Sequence, residues 1–337
     1  MALENFNSIT DIPGILVGHA QDEQALTGCT VILCAEGAVG GVDQRGGAPG
    51  TRETDALRPM HLVDKMHAVV LAGGSAFGLD ASSGVMRYLE ERKAGFDTGV
   101  ARVPIVASAI LFDLGIGNPK VRPDAAMGYR ACENASQNPP ANGNVGAGTG
   151  ATVGKIFGMG QAMKSGVGTA SLHIGGGLVV GALVAVNAFG DVVDPMTSQI
   201  IAGARPLKKG PIVLGGHGRF ANTMEIMKTL PGRTILEFAS RQNTVIGVVA
   251  SNARLSKEEV NKVAQMAQDG LARTIRPAHT MFDGDTIFAM ATGDRNADVN
   301  IIGAFAAEAF ANAVVQAVMS AQPVAGFPSA TMENLSP

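Results

Sequence analysis

The dipeptide Asn243-Thr244 stands at the head of an apolar run that continues to Ala250. A threonine hydroxyl is a poor nucleophile on its own, but a threonine that begins a chain carries its own base, because its α-amine lies beside the hydroxyl. The unperturbed pKa of such an amine is about 7.7 to 8.0, close to neutral working pH. This chemistry requires the chain to be cut before Thr244. Without a cut, the dipeptide is an ordinary loop that enters a buried strand.

Two carboxylates, Asp283 and Asp285, flank Gly284 where a loop enters a second apolar run. A spacing of two residues places both side chains on the same side of an extended chain. Asp-Gly is also a common turn signal, so the pattern alone leaves a structural interpretation open.

Lys155 lies in a glycine-rich and otherwise apolar stretch, and Asn187 ends the apolar run 182–187. Most lysines are solvated surface groups, and an asparagine at the end of a strand usually closes a turn. Their local sequence therefore assigns a function to neither residue.

Longer segments around these residues resemble the self-processing threonine hydrolases of the nylon-oligomer hydrolase type, which belong with the L-aminopeptidase/D-amidase and β-aminopeptidase family. The resemblance extends over most of residues 10–320. Its motifs lie in residues 45–54, 71–79, 148–155, 243–256 and 279–289.

The resemblance implies an α+β fold, an α/β/β/α layered sandwich in which the nucleophile begins a central strand. It implies that a single domain, residues 1–337, cleaves itself after Asn243 into an α chain of residues 1–243 and a β chain of residues 244–337. We expect these fragments to stay together as an αβ unit, and we expect such units to form a homo-oligomer.

The same resemblance implies roles for the site residues. Thr244 would be the catalytic nucleophile, and Asp283 and Asp285 would hold its ammonium or hydroxyl and tune its proton affinity. Lys155 would lower the pKa of that hydroxyl and amine, and Asn187 would donate a hydrogen bond to the oxyanion. One position departs from the pattern, because Phe112 stands where some relatives carry a tyrosine hydroxyl near the oxyanion.

Substrates of the family include N-terminal peptide bonds, D-alanyl amides and esters, β-peptides and linear 6-aminohexanoate oligomers. A threonine nucleophile with Asp-Gly-Asp favours the last class. We therefore predict an amidohydrolase whose partner is a small peptide or amide-oligomer substrate, either an aminopeptidase or a nylonase-like hydrolase of 6-aminohexanoate oligomers.

Two alternatives from other classes remain open. An acyltransferase similar to glutamate N-acetyltransferase would share self-cleavage before threonine and would prefer an amine acceptor to water. A non-catalytic binding protein would stay uncut.

His279 with the two aspartates could be half of a metal site, but no second histidine lies nearby. We expect neither a metal nor a cofactor.

Composition limits the partners. The 337 residues contain no charge run or long polar linker, which favours one domain, and 46% hydrophobic residues with 44 glycines predict a large core with tight turns. A net charge of -3 without a basic stretch predicts neither nucleic acid nor membrane as a partner.

The start of the chain lacks a signal-peptide pattern, and the apolar stretch 177–186 is too short to span a bilayer, so we expect a cytoplasmic protein.

Short apolar runs bounded by glycine predict buried strands. These runs are residues 30–35, 67–72, 171–174, 178–186 and 245–250. Ser256 and Glu259 have the spacing of a capping box, which predicts a helix that Pro277 stops. Residues 299–320 are so apolar that they predict a helix buried on most sides. Residues 323–337 are predicted to be a flexible tail, and the three cysteines to be reduced core thiols.

Overall fold

The structure is a computed structural model that describes residues 5–209, 212–232, 243–324 and 326–333. The strands of this part of the chain are β1 (Leu16–Asp22), β2 (Thr27–Gln44), β3 (Thr51–Arg52), β4 (Lys65–Ala72), β5 (Phe96–Asp97), β6 (Arg102–Val103), β7 (Val106–Ile110), β8 (Thr152–Val153), β9 (Met163–Lys164), β10 (Val167–His173), β11 (Val179–Asn187), β12 (Asp191–Val193), β13 (Ile200–Ala202), β14 (Leu207–Lys209), β15 (Ile212–Leu214), β16 (Thr244–Arg254), β17 (Ile275–Arg276) and β18 (Thr286–Asn296). The helices are α1 (Ala81–Glu91), α2 (Ala125–Glu133), α3 (Thr223–Lys228), α4 (Lys257–Thr274), α5 (Val299–Met319) and α6 (Ala330–Glu333).

One hydrogen-bonded path of strands forms the centre of the molecule. Its order is β10-β11-β16-β18-β2-β4-β7-β3, and β1 pairs with β2 beside this path. The pairs β16–β18 and β4–β7 are parallel, whereas the other pairs along the path are antiparallel. Strand β16, which begins at Thr244, therefore lies in the interior of the sheet between β11 and β18.

Strand β2 joins the two halves of this path. Its first part pairs with β1 and β4, and its last part pairs with β18. The register against β4 shifts between Leu33 and Ala38, where the strand is irregular. A strand of 18 residues with such a shift can bend from one half of the sheet into the other.

Alternate residues along the strands face different cores, as the pleat requires. Val249 and Ala289 pack with α4 and α5, whereas their neighbours Val248 and Phe288 belong to a core that also contains residues of β2, β4 and β7. On the other side of β2 and β4, a third core packs against α1 and α2. The order of layers is therefore helices, sheet, sheet, helices, which confirms the predicted α/β/β/α arrangement.

The predicted elements are confirmed, with differences at their ends. The capping box at the start of α4 is present, because Ser256 N donates to Glu259 Oε2 at 2.7 Å and Glu259 N donates to Ser256 Oγ at 3.3 Å. The strand predicted at residues 30–35 is much longer, since β2 continues through three glycines to Gln44. The three cysteines are buried and unbridged, as predicted.

The prediction of a flexible tail at residues 323–337 is wrong for part of that segment. Ser329 and Ala330 are buried, and Ala330 packs in the core beside α5. In addition, Lys164 N donates to Pro328 O at 2.8 Å. The side chain of Ala330 and the hydrogen bond to Pro328 O hold this segment against the rest of the protein. Residues 325 and 334–337 lie outside the described residues.

Helix α5 is long and apolar enough to cross a membrane by length and composition alone. Of the 18 residues that form the most apolar part of this helix, 61% are buried inside the protein. Ala306, Phe310 and Val314 pack in the core that α5 shares with α4, β11 and β16. The helix is thus buried on most sides, as its composition predicts.

Candidate active site

Thr244 is buried at the first position of β16. In the register between β11 and β16, its pairing partner is Asn187, the last residue of β11. On the other side, Asn243 forms a parallel β-bridge with Asp283, just before β18 begins. Thr244, Asn187 and Asp283 therefore lie close together, because the start of β16 lies between the end of β11 and the residues just before β18.

The carbonyl group of Asn243 is held between two donors. The hydroxyl of Thr244 donates to it, and Gly284 N donates to it at 3.0 Å. This carbonyl belongs to the peptide bond that the sequence predicts as the cleavage point. Its oxygen is polarised by a backbone N–H while the Thr244 hydroxyl lies in contact with the same group.

The turn 283–285 approaches the head of β16 closely. A Cβ atom on Gly284 would lie 2.9 Å from Thr244 Oγ1 and 2.7 Å from Ala48 O. Ala48 N in turn donates to Asp283 O at 2.8 Å, and Arg45 N donates to Asp285 O at 3.0 Å. The position between the two aspartates must therefore be glycine, because any side chain would push the turn away from the threonine.

Asp283 is buried and turned toward its own loop. Its Oδ2 accepts Thr280 N at 2.8 Å and Thr280 Oγ1 at 2.6 Å. Burial first, and then the negative charge of Asp285, raise the pKa of Asp283 to about 6, against the opposing effects of the Thr280 hydrogen bonds and Lys155. At neutral pH this carboxylate carries a charge that the fold disfavours.

Asp285 connects the head of β16 with a histidine. Its Oδ1 accepts Val245 N at 2.8 Å. Its Oδ2 accepts His279 N at 3.0 Å and lies 2.9 Å from His279 Nδ1. Both oxygens of this carboxylate are therefore engaged within the site.

Lys155 and Asn187 form a second buried group beside Thr244. Lys155 Nζ donates to Asn187 Oδ1 at 2.7 Å and to Asn187 O at 3.1 Å. Thr152 N donates to the same Oδ1 at 3.1 Å, and Asn187 Nδ2 donates to Phe112 O at 2.9 Å. These bonds fix which end of the amide is the donor, with the NH₂ group on the side of Phe112.

Burial lowers the pKa of Lys155 to about 7, and the negative charges of Asp283 and Asp113 oppose this fall. A lysine in this range exchanges its proton near neutral pH, which an exposed lysine does not do. The site therefore combines a buried cation, two buried carboxylates and a hydroxyl within one interior region.

Sequence reasoning missed Asp113. It follows directly after Phe112 and is buried, and its carboxylate accepts Thr27 Oγ1 and Gly74 N, each at 2.7 Å. Burial raises the pKa of Asp113, while these hydrogen bonds and Lys155 oppose the rise. The available signal was an acid placed at the end of the apolar run 105–112.

The structure thus brings together the predicted residues Thr244, Lys155, Asn187, Asp283 and Asp285, with Asn243 preceding the nucleophile. Thr152, Thr280 and Gly284 were not predicted, because their contributions depend on contacts between distant segments. Among the described residues, no group of three or more His, Cys, Asp or Glu side chains is arranged to hold a metal ion. His279 instead contacts Asp285.

Comparisons with known proteins show the family of this chain. The model for peptidase family S58 matches residues 7–332. An uncharacterised aminopeptidase of Mycobacterium tuberculosis is 45% identical over 352 residues, covering 96% of each chain. A 6-aminohexanoate-oligomer endohydrolase of a Kocuria species is 32% identical over 320 residues, covering 91% of this chain and 84% of that protein.

Two solved structures share the fold. The L-aminopeptidase D-Ala-esterase/amidase of Ochrobactrum anthropi, a variant of the Ntn hydrolase fold, superimposes with a TM-score of 0.70 at 20% identity and covers 97% of this chain and 90% of its own. A β-aminopeptidase of a Burkholderia species has a TM-score of 0.67 at 22% identity and covers 97% and 90%.

Proposed function

Because this chain belongs to peptidase family S58, and is thus a hydrolase of peptide bonds, we propose that it is an autoprocessed amidohydrolase whose nucleophile is the N-terminal Thr244. The chain would be made as an uncut precursor and would cleave itself between Asn243 and Thr244. The products would be residues 1–243 and residues 244–337.

The contact between the Thr244 hydroxyl and the Asn243 carbonyl carries this proposal. In the proposed self-cleavage, Oγ1 attacks the carbonyl carbon of Asn243, and the peptide C–N bond breaks as the ester C–O bond forms. The nitrogen takes up the hydroxyl proton and becomes the α-amine. Water then hydrolyses the ester, which leaves a carboxylate on Asn243 and a free hydroxyl and amine on Thr244. Gly284 N would stabilise the oxyanion of this step, because it already donates to the same oxygen.

In turnover, Thr244 Oγ1 would attack the substrate amide while the α-amine accepts its proton and passes it to the leaving amine. Water would then release the acyl group from the ester. Asn187 would donate through Nδ2 to the oxyanion, and the bonds to its Oδ1 from Lys155 and Thr152 would keep the amide in that orientation.

The charges of the site suit a hydroxyl nucleophile whose base is its own α-amine. A protonated Lys155 close to Thr244 favours the neutral, reactive form of the α-amine, whereas Asp283 and Asp285 favour its ammonium form. In the proposed mechanism, these opposed charges together tune the proton affinity of the α-amine.

Substrates are proposed from the relatives and not from the fold. One relative acts on 6-aminohexanoate oligomers and another is an aminopeptidase. We propose that this protein cleaves amide bonds in small peptides or linear amide oligomers. We also propose that it works in the cytoplasm as a homo-oligomer of αβ units.

The first prediction is a test of the nucleophile by intact-mass spectrometry. Wild-type protein should contain a chain that begins Thr-Val-Ile-Gly, and Thr244→Ala should remain uncut and inactive. Thr244→Ser should still cut and turn over an aminoacyl anilide or a 6-aminohexanoate oligomer, more slowly, because a primary hydroxyl with an α-amine retains the same chemistry.

An active preparation that contains only full-length chain would falsify this mechanism. The acyltransferase alternative is separated in the same assay by adding a free amino acid as acceptor. A hydrolase gives mainly the free acid, whereas an acyltransferase gives mainly the acylated amine.

A further inference from the structure

His279 is linked to the candidate nucleophile through one carboxylate and one peptide. Asp285 Oδ1 accepts the N–H of Val245, the residue after Thr244, and Asp285 Oδ2 accepts the backbone N–H of His279. Since both oxygens accept N–H groups, the ring contact at 2.9 Å is a donation from His279 Nδ1 to Asp285 Oδ2. The imidazole is thus the side-chain donor that holds this carboxylate.

The backbone of His279 is held in an uncommon conformation. Its φ angle is +57°, in the left-handed region that non-glycine residues rarely adopt. Such a conformation persists only where the surroundings over-determine it, and residues of this kind cluster at functional sites. Here the conformation brings both the main-chain N–H and the ring of His279 onto one carboxylate oxygen.

The second ring nitrogen of His279, Nε2, makes no hydrogen bond within the described part of the chain. Nε2 is buried and has no hydrogen-bond partner in that part of the chain, and the side chain is only 19% exposed. In the tautomer with the proton on Nδ1, Nε2 carries no hydrogen. The ring then has no buried N–H group without an acceptor. The ring is therefore placed for its contact with Asp285 and not for contact with solvent.

We propose that His279 is a positioning residue for Thr244, which rests on the proposed function. Its Nδ1–H fixes the carboxylate of Asp285 in the one orientation in which Oδ1 receives Val245 N. That bond sets the plane of the Thr244–Val245 peptide, and with it the direction of the Thr244 hydroxyl. Without the ring, Asp285 Oδ2 keeps only the main-chain N–H of His279, and the carboxylate is held less firmly by two backbone donors.

The test compares substitutions that separate the side-chain donor from the backbone conformation. His279→Asn retains a donor, because Asn Nδ2 and His Nδ1 are both bonded to Cγ, and asparagine tolerates a positive φ. His279→Gly relieves the backbone and lacks the donor. His279→Ala lacks the donor and keeps the unfavourable φ. His217→Ala, at an exposed histidine, is the control for loss of a histidine elsewhere.

Each variant is measured for the rate at which the 244–337 fragment appears, for kcat and KM of the cut protein, and for Tm. His279→Asn should stay within a few-fold of wild type. His279→Gly and His279→Ala should both lose about 10- to 100-fold in kcat and in processing rate, with little change in KM, because a misplaced nucleophile slows chemistry more than binding.

Wild-type activity in His279→Gly would overturn the proposal, because the ring donor would then be dispensable. A His279→Asn variant that is as slow as His279→Gly while keeping the wild-type Tm would also overturn it. If His279→Ala fails to fold, the Asn and Gly variants still decide the question. Failure of the proposed function is a different result, since the wild type itself would then remain uncut.

Discussion

The buried carboxyl group of Asp283 has a raised pKa, which makes the stability of the protein depend on pH. Burial and the neighbouring Asp285 raise the pKa of this carboxyl from 3.8 to about 6. Between these two values the folded chain binds more protons than the unfolded chain, so stability falls as the pH rises through this window. Above about pH 6 the full cost is present, and the fold tolerates a charge that it disfavours.

We therefore predict that Asp283→Asn stabilises the protein at neutral pH. Asparagine keeps the shape, and its Oδ1 can accept the Thr280 bonds without a charge. The gain should be on the order of 1 to 3 kcal/mol near pH 8 and should become small near pH 4, where Asp283 in the folded chain is protonated and neutral. The measurement is urea unfolding at both pH values in a Thr244→Ala background, so that wild-type and variant chains are both uncut. An equal gain at the two pH values would contradict the assignment of the cost to charge.

The remaining residues differ in how far sequence reaches them. Thr244, Asp283 and Asp285 each stand where a loop enters an apolar run, a pattern that makes them candidates, and the resemblance gave them their roles. Lys155 and Asn187 have ordinary local sequences, and the resemblance supplied them. Asp113 and His279 were not given roles, since a buried acid or a strained histidine is recognised only when its distant partners are known.

At the scale of elements, the sequence predicted strands and helices wherever local pattern controls them. The capping box set the start of α4, and apolar runs located β11 and β16. The role of β2 was not predictable in this way. Its length and its two sets of partners depend on pairing with β1, β4 and β18, which lie elsewhere in the chain.

The resemblance segments gain a physical meaning from the elements they join. Residues 45–48 bond to the turn 283–285, Gly74 donates to Asp113, and Thr152 and Lys155 hold Asn187. These segments are far apart in sequence, yet each contributes a backbone or side-chain donor near the head of β16. In the turn before β18, a side chain on Gly284 would collide with its neighbours.

For that turn we predict that Gly284→Ala slows self-cleavage by at least about 10-fold, because a misplaced reacting group is costly. The new Cβ would lie 2.9 Å from Thr244 Oγ1 and 2.7 Å from a backbone oxygen that cannot swing aside. Gly160→Ala is the matched control, since nothing lies within 4 Å of a Cβ at that position. The fraction cut is followed by mass spectrometry well below the Tm of each variant. Processing of Gly284→Ala at the wild-type rate would mean that the turn is not required to lie against Thr244.

At the scale of the whole molecule, the proposed cut divides the layered sandwich through its centre. The segment after the cut supplies β16 and β18, which pair with each other, and the two long helices α4 and α5. On one edge, β16 pairs with β11, and on the other edge, β18 pairs with β2, so both neighbours come from the segment before the cut. The helices pack on β2, β10 and β11 in addition.

From this arrangement we predict that the two fragments stay together after cleavage. Breaking one peptide bond leaves both rows of sheet hydrogen bonds and the shared hydrophobic core intact, and burial of apolar surface on this scale is the main stabilising contribution to a fold. Cleaved wild type and uncut Thr244→Ala should therefore elute at the same position in size-exclusion chromatography, and the cleaved sample should separate into two chains only in strong denaturant. A 244–337 fragment that elutes alone under native conditions would contradict the prediction. It would also deprive Thr244 of Asn187 and Lys155, which lie on the other fragment, so the separated pool should have no amidase activity, while the joined pool retains it.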